Sequence, residues 1–267
     1  MSNWKVGPGG RLYHPTTGAY VGQLDLNGNE QMVLGITTTS DQGIVFGASP
    51  LGDFKPSILA SLVSGATYGQ AGNTVTVTAT GHGLPTNRDG YRIFWPGSAA
   101  IAAGWYDGFA YVDANTFTFQ NPAAQTVSAG TAITGTLPYV TSTTLAAASA
   151  RGGMLGKNGR VSAMITASGD ATAGQKDTRL AINGSGIAAA FHLATCNSTY
   201  SLTVVNANSY TKQVGVSSHD GTGTSTASTV ATQDTSVDFS ISVTAKLQNA
   251  NQWRAYDHIE IQVVVLP

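Results

Sequence analysis

The sequence predicts an all-β fold: a small N-terminal and middle β module, followed by a C-terminal antiparallel β-sandwich of the jelly-roll kind. Three observations carry that expectation. Apolar and polar residues alternate in short runs, most clearly at Val237, Phe239, Ile241 and Val243, with Asp238, Ser240, Ser242 and Thr244 between them. A strand places every second side chain on one face, so such a run has one apolar and one polar face. The runs are separated by Gly, Asn, Asp and Ser, as turns separate the strands of sandwiches and jelly rolls. Charge is sparse: 13 Lys and Arg with 14 Asp and Glu make up 10 % of the chain, against a usual share of about 25 %.

These numbers also exclude function classes. A net charge of −1 supplies no field to draw nucleic acid or an anionic membrane. No apolar run approaches the ~20 residues of a membrane helix, so no membrane insertion is expected. Cys196 is the one cysteine, so no intramolecular disulfide can form. The first residues, Met1 to Pro8, carry no apolar signal core, so synthesis and folding in a cytosol are expected. At 27.4 kDa the chain has room for one large or two small domains.

Taken in order, residues 1–50 are turns interrupted by short aromatic pieces. Gly7-Pro8-Gly9-Gly10 and Thr16-Thr17-Gly18 bracket Arg11 to His14, and Asn27-Gly28-Asn29 has the form of a hairpin turn. So little apolar surface fits an irregular arm packed on the body, or equally an anchor that docks on another subunit. Residues 51–65 predict a helix: Leu51, Phe54, Ile58, Leu59, Leu62 and Val63 recur three to four apart, with Pro56 in the first turn. The span 51–138 is expected as a small β module, with runs at Thr74 to Thr80, Tyr91 to Trp95, Phe109 to Val112 and Thr116 to Phe119. The turn-rich Gly81 to Gly90 links the first two. Residues 139–158 are expected as a linker, their Ala146-Ala147-Ala148 run long enough for a helical turn or two. The last segment, 157–267, holds the sandwich strands: Val161 to Thr166, Arg179 to Ile182, Tyr200 to Val205, Val237 to Thr244, and Ile259 to Val265. Residues 219–235, Gly- and Thr-rich, are expected as an exposed loop.

A resemblance now emerges. Gly81-His82-Gly83-Leu84, the Gly104-Trp105-Tyr106 step and Asn115-Thr116-Phe117-Thr118-Phe119 together resemble a small β module recurrent in tailed-bacteriophage structural proteins. The stretch from Gly159 through Lys176, Asp234 and Asp257 to the last strand resembles the jelly-roll tip of phage tail, baseplate and receptor-binding proteins. Asp25 to Glu30 is similar in style to phage tail segments. The resemblance implies a virion component, a homotrimer. It would attach to other tail or baseplate proteins through its N-terminal segment and present its tip to a host surface. A capsid decoration or head-fibre subunit is the alternative within that class, and a polysaccharide-degrading enzyme the alternative outside it.

Chemistry-bearing motifs are few. His14, His82, His192, His219 and His258 show no paired spacing and Cys196 has no Cys-x-x-Cys partner, so no metal site and no cofactor is expected. His82, between two glycines, reads as a turn residue. No Gly-x-Ser-x-Gly elbow is present, and Asn183-Gly184-Ser185-Gly186 reads as a turn. A glycosidase requires two carboxylates about 5–10 Å apart. Asp238 and Glu260 lie on polar strand faces that could pair across a sheet, with solvated surface the plainer account. No catalytic residue is assigned. The remaining candidates are aromatic. Trp95, Trp105 and Tyr106 bracket one loop system, and Trp253 and Tyr256 precede the last strand. Rings with Asn, Asp and Arg nearby suit glycan contact, and core or interface filling is the competing account.

Overall fold

The structure is a computed structural model. It describes residues 5–6, 11–13, 20–24, 30–31, 55–62, 65–150, 152–153, 155–171, 174–192, 198–219, 223–225 and 229–264. Among these the regular structure is entirely β. Four short strands, β1 (Lys5–Val6), β2 (Arg11–Tyr13), β3 (Tyr20–Leu24) and β4 (Glu30–Gln31), form an antiparallel sheet in chain order. The rest of the expected N-terminal segment, including the Asn27-Gly28-Asn29 turn, lies outside the described residues.

The body has three layers. The inner layer is an eight-stranded sheet. Its first half contains β18 (Thr229–Ala231), β16 (Gln213–His219), β15 (Ser198–Asn206) and β12 (Arg160–Gly169). Its second half continues through β20 (Trp253–Val264), β5 (Ser57–Ala60), β7 (Arg92–Trp95) and β8 (Gly104–Tyr106). One face packs on a five-stranded sheet ordered β11 (Thr143–Ala150), β19 (Phe239–Leu247), β13 (Lys176–Ile182), β14 (Ser185–His192), β17 (Gly223–Ser225). This pair is the expected antiparallel β-sandwich. The opposite face, at the β20–β5–β7 end, packs on a three-stranded sheet of β6 (Thr67–Thr78), β10 (Thr116–Ala132) and β9 (Ala110–Asp113).

Side-chain alternation sorts residues between the two cores. Val161, Ala163 and Ile165 of β12, Tyr200, Leu202 and Val204 of β15, and Phe239, Ile241 and Val243 of β19 fill the sandwich core. Val75, Val77, Phe117 and Phe119 fill the second core with Ile93 and Trp95. Strand β5 serves both: Leu59 faces the sandwich, while Ile58 and Ala60 face the three-stranded sheet. All four residues of β5 are buried.

That double burial corrects the expected helix over 51–65. A strand covered on both faces has no polar side, so its sequence is a continuous apolar run, which periodicity cannot separate from a buried helix. Residues 57–60 pair with β20 antiparallel, and Ser57 and Ile58 pair with β7 in parallel. The expected linker is also corrected. Residues 143–150 are a core strand paired along its length with β19, with Leu145, Ala148 and Ala150 buried. Strand pairing here overrides the helix propensity of alanine. The loop expected at 219–235 includes two short edge strands, β17 on one sheet and β18 on the other. Val237, read as the first inward residue of its run, stands 56 % exposed ahead of β19.

Turn readings hold where chain chemistry dictates them. Asn183 and Gly184 have φ of 50° and 76° and join β13 to β14 between the paired residues Ile182 and Ser185. Positive φ at both central residues is the hairpin turn that Asn-Gly favours. Gly215 answers a different need. A Cβ there would sit 2.0 Å from the Ile187 carbonyl oxygen, where the two sheets of the sandwich close on each other.

Amide side chains tie the chain crossings. Asn206 is 1 % exposed. Its Nδ2 donates to the Gly156 carbonyl at 2.7 Å and to Thr235 Oγ1 at 2.9 Å, and its Oδ1 accepts from Gln213 Nε2 at 3.0 Å. Gln213 in turn donates to the Tyr210 carbonyl and accepts the Gln233 N–H. Removing one member leaves buried groups without partners, each costing about 1–3 kcal/mol. Asn206→Ala is therefore expected to lower the unfolding free energy by roughly 2–4 kcal/mol, read from urea denaturation midpoints.

The shared wall gives a second expectation. Ile58→Ala and Leu59→Ala, on opposite faces of β5, should each cost about 2–5 kcal/mol. Unfolding of residues 55–264 should remain one cooperative transition by circular dichroism and by tryptophan fluorescence. Separate transitions by the two probes would show that the layers are independent.

Candidate functional site

The five aromatic candidates fall into three environments. Trp95 and Tyr256 are 1 % and 0 % exposed. Trp95 stacks edge-on with Tyr68 at 5.2 Å between ring centroids and tilts on Phe119 at 5.3 Å. These two rings belong to the cores and are closed to a glycan. Trp253 is half-buried against the second core, and lies within β20, not ahead of it. Trp105 and Tyr106 are half-buried on the edge strand β8.

Trp105 and Tyr106 do not form one platform. Adjacent strand residues point to opposite faces. Trp105 turns to the sandwich side, edge-on to Phe94 at 5.4 Å and under the Arg92 guanidinium at 4.9 Å. Its indole N–H donates to the Thr144 carbonyl at 2.9 Å. Burial lowers the pKa of Arg92 from its usual range. Tyr106 turns to the other face, against Phe119 at 5.2 Å. Its hydroxyl donates to the Ala102 carbonyl at 2.9 Å, and burial raises its pKa.

Around Tyr106 lies a cleft of about 520 Å³. It is bounded by Ala103 to Asp107 on one side and by Asn73, Gln120, Asn121 and Pro122 on the other. The second wall exists because β10 is irregular. Its pairing with β6 shifts between Gln120 and Gln125, and amides fill the gap. Asn73 Nδ2 donates to the Asn121 and Pro122 carbonyls at 2.8 and 3.0 Å. Gln70 donates to the Gly72 and Ala123 carbonyls and accepts from Asn121 and Gln125. Sequence reading singled out Tyr106 but missed Asn73, Gln120 and Asn121. The pattern of β10 continuing past Phe119 through Asn121-Pro122 is the signal that was there, since proline in a strand marks a bulge.

A second polar group is buried at the end of the sandwich. Lys176 is 0 % exposed, its Nζ 3.0 Å from Asp170 Oδ1. Asp170 Oδ2 accepts the Trp253 N–H. Arg254, also 0 % exposed, holds its guanidinium 5.5 Å from the Tyr200 ring and 5.9 Å from the Tyr256 ring. The Tyr200 hydroxyl donates to Thr178 Oγ1 at 3.0 Å, and Thr178 and Tyr256 hydroxyls are 3.1 Å apart. Burial pushes the Tyr256 hydroxyl far above its usual range. This cluster is enclosed between sheets and ties them together by cation–π and hydroxyl contacts.

The acidic pair weighed from sequence is not assembled. Asp238 precedes β19 of the five-stranded sheet and accepts the Gly152 N–H at 2.9 Å. Glu260 lies on β20 of the other sheet, bonded to Gln262 at 3.0 Å. His82 closes its turn: Nδ1 accepts the Leu84 N–H at 3.0 Å, and Nε2 lies 2.8 Å from the Asp113 carbonyl oxygen, which fixes the neutral tautomer with the proton on Nε2. No group of three or more His, Cys, Asp and Glu side chains gathers as a metal site among the described residues. Cys196 lies outside them. No helix is long and apolar enough to cross a membrane among the described residues. The chain matches no protein-family model and no curated protein.

Asp177, on the outer face of β13, has a pKa raised by burial, opposed by the Arg179 guanidinium bonded to it at 2.7 Å. A raised carboxyl pKa means the folded state holds the proton more tightly than the unfolded one. Stability from this group is therefore present below the unfolded value of about 4 and declines as pH rises through the folded value. Asp177→Asn is expected to remove that decline. The difference in melting temperature between variant and parent should move in the variant's favour as pH rises above about 4, measured by calorimetry across pH 3–8.

Proposed function

We propose that the chain is a structural subunit of a tailed-bacteriophage particle, a homotrimeric tail-tip, fibre or receptor-binding component attached through its N-terminal segment. The observation that supports an assembling subunit is a row of exposed apolar side chains on one sheet face among the described residues. Among the described residues, the three-stranded sheet covers the outer side of the eight-stranded sheet at its β20–β5–β7 end. The other half of the eight-stranded sheet presents Val230 at 61 % exposure, Val216 at 48 % and Met164 at 42 %. Val230 pairs with Val214, and Val214 with Val205, so an apolar row crosses three strands. Ser162, Ser201 and Thr203 lie among them, and Arg160, His258 and Glu260 stand at the margins. An exposed apolar row flanked by polar residues fits a protein–protein contact. A charge-poor body fits permanent packing in a particle, where steering by long-range fields is not required.

The expected result is a trimer near three times 27.4 kDa by light scattering, and the chain present in purified particles by mass spectrometry. Val216→Glu with Met164→Glu should convert the trimer to monomer without changing the circular dichroism spectrum. A wild-type monomer that is absent from tail and head fractions would overturn the reading, while presence on heads alone would move it to capsid decoration.

A further inference from the structure

We infer that the cleft beside Tyr106 is a binding site for a neutral, hydroxyl-rich ligand, a neutral hexose unit of a glycan, and that it discriminates against anionic sugars. The inference rests on the hydrogen-bonding capacity of the lining and stands apart from the assembly reading.

Most of the side-chain donors in the lining are already engaged. The Asn73 amide nitrogen faces two carbonyl oxygens at 2.8 and 3.0 Å, which also fixes the amide orientation. The Gln120 nitrogen donates to Thr74 Oγ1 at 3.4 Å, and the Tyr106 hydroxyl to the Ala102 carbonyl. The Asn121 nitrogen donates to Gln70 Oε1 at 3.1 Å. What these side chains retain is mainly acceptor capacity, at Oδ1 of Asn73, Oε1 of Gln120 and the carboxylate of Asp107. Asn73, Gln120 and Asp107 are all exposed.

An acceptor-rich surface selects for donors. Sugar hydroxyls supply them, and the C–H face of a pyranose supplies apolar contact to a half-exposed ring such as Tyr106. A uronate, sialate or sulfate would bring its charge against Asp107 and find few uncommitted side-chain donors in the lining, the second N–H of Gln120 among them. Lys55, 2.6 Å from Asp107 Oδ2 with both side chains more than half exposed, balances the carboxylate at the rim. An exposed pair of this kind holds loosely, so a hydroxyl can compete for the carboxylate.

The test is saturation-transfer NMR on the full chain. The probes are methyl glycosides of glucose, galactose, mannose and N-acetylglucosamine, set against those of glucuronic and N-acetylneuraminic acid. At least one neutral glycoside is expected to bind, with every anionic one weaker by about fivefold or more, the worth of one net hydrogen bond. Asp107→Ala with Gln120→Ala, both on exposed side chains, should weaken the neutral ligand by a similar factor while leaving the melting temperature in place. Asp107→Lys should raise binding of the anionic glycosides. Absence of binding by all four neutral glycosides, equal binding of anionic ones, or indifference to both sets of variants would overturn the site. A chain found in particles that nevertheless binds no neutral glycoside removes the site and leaves the assembly reading in place.

Discussion

One strand of four residues governs this architecture. Strand β5 is buried on both faces and joins β20 to β7, so it forms a wall that two hydrophobic cores share. Without it, β7 and β8 would have no sheet to join, and the three-stranded sheet would have no surface to cover. Because Leu59 faces one core and Ile58 the other, a change of register by a single residue would exchange every contact. The middle of the chain and its last third are therefore layers of one body. Polar ties cross the same wall: Arg88 lies 3.1 Å from Asp257, Tyr91 donates to that carboxylate at 2.6 Å, and Arg92 donates to Ser57 Oγ at 2.7 Å.

Asp257 occupies a special place in that wall. It is the extra residue where the β12–β20 register shifts between Thr166 and Ala167. A bulge changes the phase of a strand. Past it, Ile259, Ile261 and Val263 face the sandwich; before it, Arg254 and Tyr256 do. The bulge thus places a guanidinium between two tyrosine rings and turns its own carboxylate outward to receive Arg88 and Tyr91. Elsewhere, amides fill the role that ion pairs often have. Asn206 with Gln213 at one crossing, and Gln70 with Asn121 and Gln125 at the β10 irregularity, satisfy buried backbone without adding charge. A sequence with few charged residues is the compositional trace of that choice.

Strands covered on one face were legible. The runs at Val161, Tyr200 and Phe239 alternate as their burial does, and Asn183-Gly184 forms the turn its chemistry demands. What was not legible has physical causes. Residues 57–60 lost their alternation because both faces are covered. The alanines of β11 carry helix propensity, and only pairing with β19 makes them a strand. The inward position of Arg254 depends on a bulge that is invisible to a period-two reading. At the cleft, Tyr106 was found through its aromatic character. Asn73 and Gln120 were not, because they are brought to it by the pairing of β6 with β10, across 47 residues of chain.

The position of the cleft follows from where the wall ends. Among the described residues, strand β8 is the last of the eight, so one side of its backbone has no neighbour in the sheet. The two cores still anchor its side chains, Trp105 in one and Tyr106 in the other. An edge strand held from both faces is rigid and yet accessible, two properties a recognition site requires and a flexible loop supplies only in part. The division of labour between adjacent residues sharpens this. Trp105, with its N–H bonded to Thr144 and its ring beneath Arg92, fixes the strand. Tyr106 is left to face the acceptors that the β10 irregularity brings up beside it. The same irregularity that breaks the β6–β10 ladder therefore shapes the opposing wall, and the Asn73 and Gln70 amides that mend the ladder leave acceptors as the larger part of what that wall offers.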